Sequence, residues 1–192
     1  MGKLLLTVGD ITKQEACEAI VTISDSSLTN GGYLNKTIHE VAGPKMTEEC
    51  KTLNGCEPGQ AKLTRAYDLP NKYVIHTVGP VWTDGKSGEE EVLASCYYEC
   101  LELAKRNGIR SIAFPYFSED YYSYPVQKEA EIAFSTLQSF VQENRMWFDL
   151  IVWVLPSREI SFAFDCVLQG IRNDVKKQNE ETIKNSSILS PW

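Results

Sequence analysis

Hydrophobic and polar positions form two kinds of segment along this chain. Short apolar, β-branched runs bounded by Gly, Pro, Asp or Ser are typical of strands. Longer stretches with apolar residues three and four positions apart are typical of amphipathic helices. The predicted strands cover residues 3–8, 19–23, 61–67, 73–78, 111–114 and 150–155. The predicted helices cover residues 34–50, 92–104, 125–140 and 160–172.

Strands that alternate with helices predict an α/β fold, a three-layer α/β/α sandwich with a mixed, largely parallel sheet. The uninterrupted apolar run 150–155 is typical of a strand buried on both faces. Gly43-Pro44 should break the first helix, and Asn107-Gly108 should end the second. We expect one domain over residues 1–174, followed by a frayed polar tail over residues 175–192.

Composition narrows the function classes. The net charge of −7 and the pI near 5.0 argue against non-specific nucleic-acid binding, which depends on Lys and Arg. An anionic small molecule is still possible, because helix N-termini bind phosphates through backbone N–H groups. The chain has no apolar run of membrane-spanning length and no signal-peptide pattern, so we expect a cytoplasmic protein without membrane contact.

The six cysteines show no C-x-x-C pair and no cluster with histidine in the sequence. We therefore expect reduced, buried thiols, no metal site and no cofactor. A metal held by Cys96 and Cys100, four positions apart on a helix, is the alternative. His39 and His76 are candidates for acid–base chemistry, but their apolar neighbours favour a packing role.

Six ordered segments carry recognisable motifs. They are Gly9-Asp10-Ile11-Thr12, Ala19-Ile20-Val21, Thr37-Ile38-His39 with Ala42-Gly43-Pro44, the run from Tyr73 to Trp82, Leu93-Ala94-Ser95-Cys96-Tyr97, and Ser111-Ile112-Ala113-Phe114-Pro115. In order and spacing they resemble the macrodomain family over about residues 4–155. The resemblance implies binding of ADP-ribose, and in some members hydrolysis of ADP-ribosyl esters or O-acetyl-ADP-ribose.

By this resemblance Asp10 accepts a hydrogen bond from the adenine amine, and the Ile11 backbone N–H meets a ring nitrogen. The alternative is that Asp10 only caps the turn that follows it. The end of the last strand, at Leu155, would also contact the adenine. No aromatic residue stands beside it, and Phe162 or Phe164 could take its stacking role.

The catalytic motif departs from the family. Where the family has N-A-A-N, this chain has Thr22-Ile23-Ser24-Asp25, and the acidic position ten residues later holds Asn35. The Asn and Asp of the family are thus inverted as Asp25 and Asn35, the candidate catalytic pair. Asp25 could still orient a water molecule. Alternatively, both residues have drifted to bind one another or the solvent.

Both phosphate loops also depart from the family. The first is Asn30-Gly31-Gly32-Tyr33-Leu34, in which Tyr33 either blocks the diphosphate path or turns outward to cover it. The second corresponds to residues 118–125 and has lost both family glycines. Its candidate ligand contacts are Ser118, Glu119, Asp120, Tyr121 and Tyr122. Two carboxylates there would repel a diphosphate, whereas the tyrosines could stack on a ribose or simply cover the sheet edge.

These departures leave three hypotheses. The first is a catalytically impaired module with weak or lost ADP-ribose binding. The second is a remodelled pocket for another adenosine-containing ligand, built on Asp10 and the tyrosines. The third is an ADP-ribosyl hydrolase that uses Asp25. The missing loop glycines favour the first hypothesis over the third.

Overall fold

The computed structural model describes the backbone of residues 2–118, 123–144 and 147–188, and side chains as far as residue 178. Glu119, Asp120, Tyr121 and Tyr122 therefore lie outside the described residues. The elements, in chain order, are β1 (Lys3–Val8), β2 (Ala19–Ile23), α1 (Tyr33–Ala42), α2 (Pro44–Thr52), β3 (Ala61–Arg65), β4 (Tyr73–Thr77), α3 (Glu89–Arg106), β5 (Ser111–Pro115), α4 (Val126–Asn144), β6 (Leu150–Leu155) and α5 (Arg158–Ile188).

The strands form one sheet in the order β1-β6-β5-β2-β4-β3. Neighbouring strands are parallel except for β3, which runs antiparallel to β4. Helices α1 and α2 pack on one face of the sheet, and α3, α4 and α5 pack on the other. The predicted α/β/α sandwich with a mixed, largely parallel sheet is confirmed. Every residue of β2 is buried, as expected for a central strand covered on both faces.

The predicted helix ends lie within four residues of the observed ones except at the end of the C-terminal helix. Gly43, with φ of 81°, separates α1 from α2, and Pro44 begins α2. Helix α3 ends at Arg106, before Asn107 and a left-handed Gly108. Helix α5 was expected to end near Arg172 but continues to Ile188. The division into a domain at 1–174 and a tail stays a prediction. No helix in the described ranges is long and apolar enough to cross a membrane.

The strand order reverses between β2 and β5. These two strands pair only through Ala19 with Ile112 and Ile20 with Ala113, and the pairing stops there. Parallel sheets bind ligands at such reversal points, beyond the carboxyl ends of their strands. The topology therefore predicts a ligand site formed by the loops after β1, β2, β5 and β6.

Candidate functional site

A cavity of about 280 Å³ opens at the carboxyl ends of β1, β5 and β6, beside the first turns of α1. Its lining residues are Gly9, Asp10, Ile11, Tyr33, Leu34, Thr37, Pro115, Val154 and Pro156. Four of the predicted ligand-binding residues, Asp10, Ile11, Tyr33 and Leu34, are thus brought together. Small-molecule sites enclose roughly 300–1,000 Å³, so the described part of this cavity is close to the lower end of that range.

Asp10 both caps a turn and faces this cavity. Its Oδ1 accepts hydrogen bonds from the Thr12 backbone N–H at 2.9 Å and the Thr12 hydroxyl at 2.7 Å. The Thr12 hydroxyl is the main reason that the pKa of Asp10 lies below its usual value. Its Oδ2 lies 3.4 Å from Lys13 Nζ in an exposed pair, which contributes little and separates easily. One ionised oxygen is therefore available to a ligand.

The α1 N-terminus forms the opposite wall. Helix α1 begins at Tyr33, and Gly32 is its N-cap without a side-chain hydrogen bond in the described structure. Backbone N–H groups at such a helix start favour an anion. A Cβ at Gly31 would lie 2.6 Å from Asn35 Cβ and 2.9 Å from the Ile23 carbonyl oxygen. Gly31 is therefore required for the close approach of α1 to the end of β2.

Tyr33 stands at the mouth of the cavity. It is 70% exposed, so the ring points outward and does not fill the path beside Gly32. Of the two alternatives for this residue, the outward position is the one observed.

Asp25 lies in the exposed loop after β2. Its Oδ1 accepts hydrogen bonds from the Ser27 backbone N–H at 2.9 Å and the Ser27 hydroxyl at 2.6 Å. Its backbone N–H donates to the Asn30 carbonyl at 2.7 Å, which closes the loop. The carboxylate thus stabilises the turn that leads into α1, a local role typical of aspartate.

Asn35 occupies a different environment from Asp25. It is 1% exposed, and its Nδ2 donates to the Thr22 hydroxyl at 3.3 Å. Its Oδ1 has no hydrogen-bond partner among the residues that the structure describes. Asn35 also borders a second cavity of about 300 Å³, on the side of α1 away from Tyr33. The observed partners, Ser27 and Thr22, differ from the predicted alternative in which Asp25 and Asn35 bind one another.

The loop after β5 is held by a residue that the sequence analysis did not select. Glu129 of α4 is fully buried and accepts hydrogen bonds from the backbone N–H groups of Phe117 at 2.7 Å and Ser118 at 3.0 Å. The Ser118 hydroxyl also donates to it, and Tyr97 donates at 3.0 Å. Ser118, a predicted ligand contact, is thus committed to Glu129. The sequence signal that could have identified Glu129 is a glutamate among the apolar positions of a predicted helix.

Leu155, which was predicted to contact the adenine, does not line the cavity. The Leu155 side chain is fully buried in the core beneath α3, α4 and α5, and its carbonyl accepts from Gly9 N at 3.2 Å. Val154 and Pro156 line the cavity instead, because side chains alternate between the two faces of a strand. Phe164 is buried in the same core, whereas Phe162 is 70% exposed.

A second cluster unites residues that are far apart in sequence. His39, Cys50 and His76 each place one potential ligand atom within 4.8 Å of the others. Burial lowers the pKa of His76 to about 3 and also lowers that of His39. Burial raises the pKa of the Cys50 thiol to about 11. Neutral imidazoles agree with the predicted packing role, but the sequence analysis did not foresee that they meet a cysteine.

Sequence comparison identifies relatives of known family. The Macro domain family model matches residues 21–133. A Macro domain-containing protein of Methanosarcina mazei is 50% identical over 146 residues, which cover 76% of this chain and 78% of that protein. The human ADP-ribose glycohydrolase MACROD2 is 45% identical over 152 residues, which cover 79% of this chain but 36% of that protein.

The solved structures that are similar to this chain include macrodomains. The Oceanobacillus iheyensis macrodomain with ADP superposes with a TM-score of 0.84 at 34% identity, over 90% of this chain and 93% of that one. The Trypanosoma brucei macrodomain in complex with ADP superposes with a TM-score of 0.79 at 33% identity, over 86% of this chain and 68% of that one.

Proposed function

The chain belongs to the macrodomain family, and on that premise we propose that it binds the adenosine part of ADP-ribose without hydrolysing ADP-ribosyl substrates. The observation that carries the proposal is the contrast between the two halves of the site. The adenine side keeps its polar group facing a cavity. On the catalytic side, the acidic position of the family is the buried amide Asn35.

Binding of adenosine is supported by Asp10 and Ile11. The Oδ1 of Asp10 is bound to Thr12, so the carboxylate is oriented and its Oδ2 can accept from an exocyclic amine. A hydrogen bond to an ionised group contributes about 1.5–3 kcal/mol. The apolar side chains of Leu34 and Val154 complete a cavity suited to the faces of a base.

Loss of hydrolysis is supported by the chemistry of Asn35 and Asp25. A general base must be ionisable and within hydrogen-bond reach of the water that it activates. The amide of Asn35 has no titratable proton and donates to Thr22. Asp25 is ionisable, but its Oδ1 holds Ser27, and it does not line the cavity that contains Asp10.

An Asp10→Asn variant should bind adenosine about 10–100-fold more weakly than the wild type, which corresponds to about 1.4–3 kcal/mol. Asparagine can keep the oxygen that caps Thr12, but it presents an N–H₂ group where the adenine amine needs an acceptor. Isothermal titration calorimetry with adenosine, AMP and ADP-ribose measures this loss.

Glu15→Gln is the matched control, because Glu15 is an exposed acid five positions after Asp10 in the sequence and is not among the residues that line the cavity. Its affinity for adenosine should equal that of the wild type. Equal affinities of the Asp10→Asn variant and the wild type would contradict adenine recognition by this carboxylate. If the wild type gives no heat with any of the three ligands, the binding proposal itself fails.

ADP-ribose should bind no more tightly than adenosine. If Glu119 and Asp120 face the diphosphate as the family alignment implies, each like-charge contact at about 4 Å costs about 4 kcal/mol before screening. Each such contact would weaken the binding of ADP-ribose by about 1,000-fold. The same calorimetric series compares the two ligands, and ADP-ribose binding 10-fold or more tightly than adenosine would contradict the prediction.

A hydrolase that uses Asp25 is the second candidate function, favoured by the glycohydrolase name of the human relative. We expect the purified chain to release no ADP-ribose from an ADP-ribosylated protein above the rate in buffer. The macrodomain of that relative serves as the positive control. Release by the wild type that is lost in Asp25→Ala would replace the proposed function with this one.

A further inference from the structure

An apolar groove lies between α4 and α5, beside the start of β1. Its volume is about 530 Å³, and most of its lining residues are apolar. Four of these apolar side chains remain partly exposed: Leu4, Val141, Ile171 and Val175. An open apolar patch of this kind, bordered by polar residues, is typical of a surface that contacts another protein.

The charged rim of this groove is positive. Arg172 and Lys176 are the charged residues of its described lining, and both are exposed. Neither side chain forms an ion pair with another described residue. The chain as a whole carries a net charge of −7, so this rim differs in sign from the rest of the protein. It therefore suits a partner surface that carries carboxylates.

The exposed side of α5 next to the groove carries an aromatic ring and a carboxylate. A stripe of exposed residues runs along this side at alternating steps of three and four positions: Phe162, Asp165, Gln169, Arg172 and Lys176. Such spacing keeps residues on one side of a helix. Phe162 is 70% exposed, and Gln169 Nε2 donates to Asp165 Oδ1 at 3.4 Å. The ring and the acid lie near the start of α5, and the cations lie near the groove.

Two copies of α5 complement each other when they pack antiparallel. If the two-fold axis passes just before Gln169, Asp165 and Arg172 lie equally far from it along the helix. Asp165 of one copy then faces Arg172 of the other. Phe162 and Val175 are also equally far from the axis, so each Phe162 ring meets the groove of the opposite copy. A two-fold contact forms each of these pairs twice.

We propose that this chain forms a two-fold dimer through antiparallel packing of α5, with Phe162 of each copy in the α4–α5 groove of the other. A second copy fits better than a different protein, because one helix supplies both the acidic, aromatic half and the cationic, grooved half.

The dimer should be weak and independent of the adenosine cavity. Between Phe162 and Lys176 the helix rises only about 21 Å, so the buried area lies at the small end of specific interfaces, near or below about 1,200 Å². Dissociation constants in the micromolar range are expected for such a contact. The α4–α5 groove shares no lining residue with the cavity that contains Asp10.

Sedimentation velocity of the full chain, from low micromolar to submillimolar concentration, should show a monomer–dimer equilibrium. Phe162→Ser should weaken dimerisation at least about 10-fold, because aromatic anchors dominate small interfaces. Val81→Ser is the matched control, since Val81 is an exposed apolar residue outside α5, and its dimerisation should equal that of the wild type. A wild type that stays monomeric would overturn the proposal, and so would a Phe162→Ser variant that dimerises like the wild type.

Exchange of charges tests the antiparallel arrangement. Asp165→Arg places arginines opposite each other across the axis, and Arg172→Asp does the same with aspartates. Each single variant should therefore dimerise about 10-fold more weakly than the wild type, since two pairs are affected. The double variant restores opposite charges and should recover most of the lost affinity. A double variant as weak as the single variants would overturn the proposed pairing.

A cysteine beside the axis provides a geometric test. Gln169→Cys, made together with Cys166→Ser to remove the exposed native thiol, should form a disulfide between copies under mild oxidation. Asp174→Cys in the same background is the control, because its two copies would lie about 16 Å apart along the axes of the paired helices. Cross-linking of Asp174→Cys without cross-linking of Gln169→Cys would contradict the proposed axis.

Discussion

Replacing Glu129 with alanine should lower the free energy of unfolding by about 4 kcal/mol or more near neutral pH. The change removes the common acceptor of four donors, two of them on the backbone of the loop after β5. Each buried donor left without a partner costs about 1–3 kcal/mol, and Phe117 and Ser118 are too well buried to reach water freely. Urea denaturation followed by circular dichroism measures the loss.

Glu131→Ala is the control on the same helix, because Glu131 is exposed two residues after Glu129. Surface substitutions of this kind change stability by about 0.5 kcal/mol or less. An unfolding midpoint for Glu129→Ala equal to that of the wild type would show that the β5 loop is anchored by other contacts.

Glu129 should also make stability depend on pH. Burial raises the pKa of Glu129 from 4.5 to about 7, even though its hydrogen bonds favour the carboxylate. The folded state therefore keeps a proton that the unfolded chain releases, so the contribution to stability is complete below about pH 4.5 and is lost as the pH rises through about 7. At about 1.4 kcal/mol per pKa unit the change is about 3 kcal/mol, and the Glu129→Gln variant should lack it.

Gly31→Ala should weaken adenosine binding at least 10-fold and lower the free energy of unfolding by about 1–3 kcal/mol. The new methyl carbon would meet Asn35 Cβ at 2.6 Å and the Ile23 carbonyl at 2.9 Å. Neither atom can rotate away, since one is bonded directly to the α1 backbone and the other belongs to the end of β2. The start of α1 must shift, and the wall formed by Tyr33 and Leu34 moves with it.

Gly9→Ala is the matched control, because Gly9 lines the same cavity and a Cβ there would meet no atom within 4 Å. We expect its free energy of unfolding to stay within about 0.5 kcal/mol of the wild-type value. Its affinity for adenosine should stay within about twofold of the wild-type affinity. If Gly31→Ala behaves like Gly9→Ala in both calorimetry and urea denaturation, the close approach of α1 to β2 is not what shapes the pocket.

The sequence by itself determined the architecture of this protein. Apolar runs such as 150–155 and helical spacing such as that of α3 report burial directly, because each depends on neighbours only a few positions away. Gly43 and Gly108 mark helix ends for an equally local reason, since both adopt positive φ. The ordered motifs also indicated Asp10, Ile11, Tyr33 and Leu34, four residues that line the cavity.

Only the tertiary structure decided which polar groups meet. Asn35 binds Thr22 rather than Asp25, and Glu129 accepts a hydrogen bond from the backbone of Phe117, 12 residues before it. His39, Cys50 and His76 converge because α1 and α2 pack on the sheet face that carries the His76 side chain of β4. Side-chain hydrogen bonds depend on distance and direction in space, which packing sets. A sequence pattern can show that a polar residue is buried, but the fold chooses its partner.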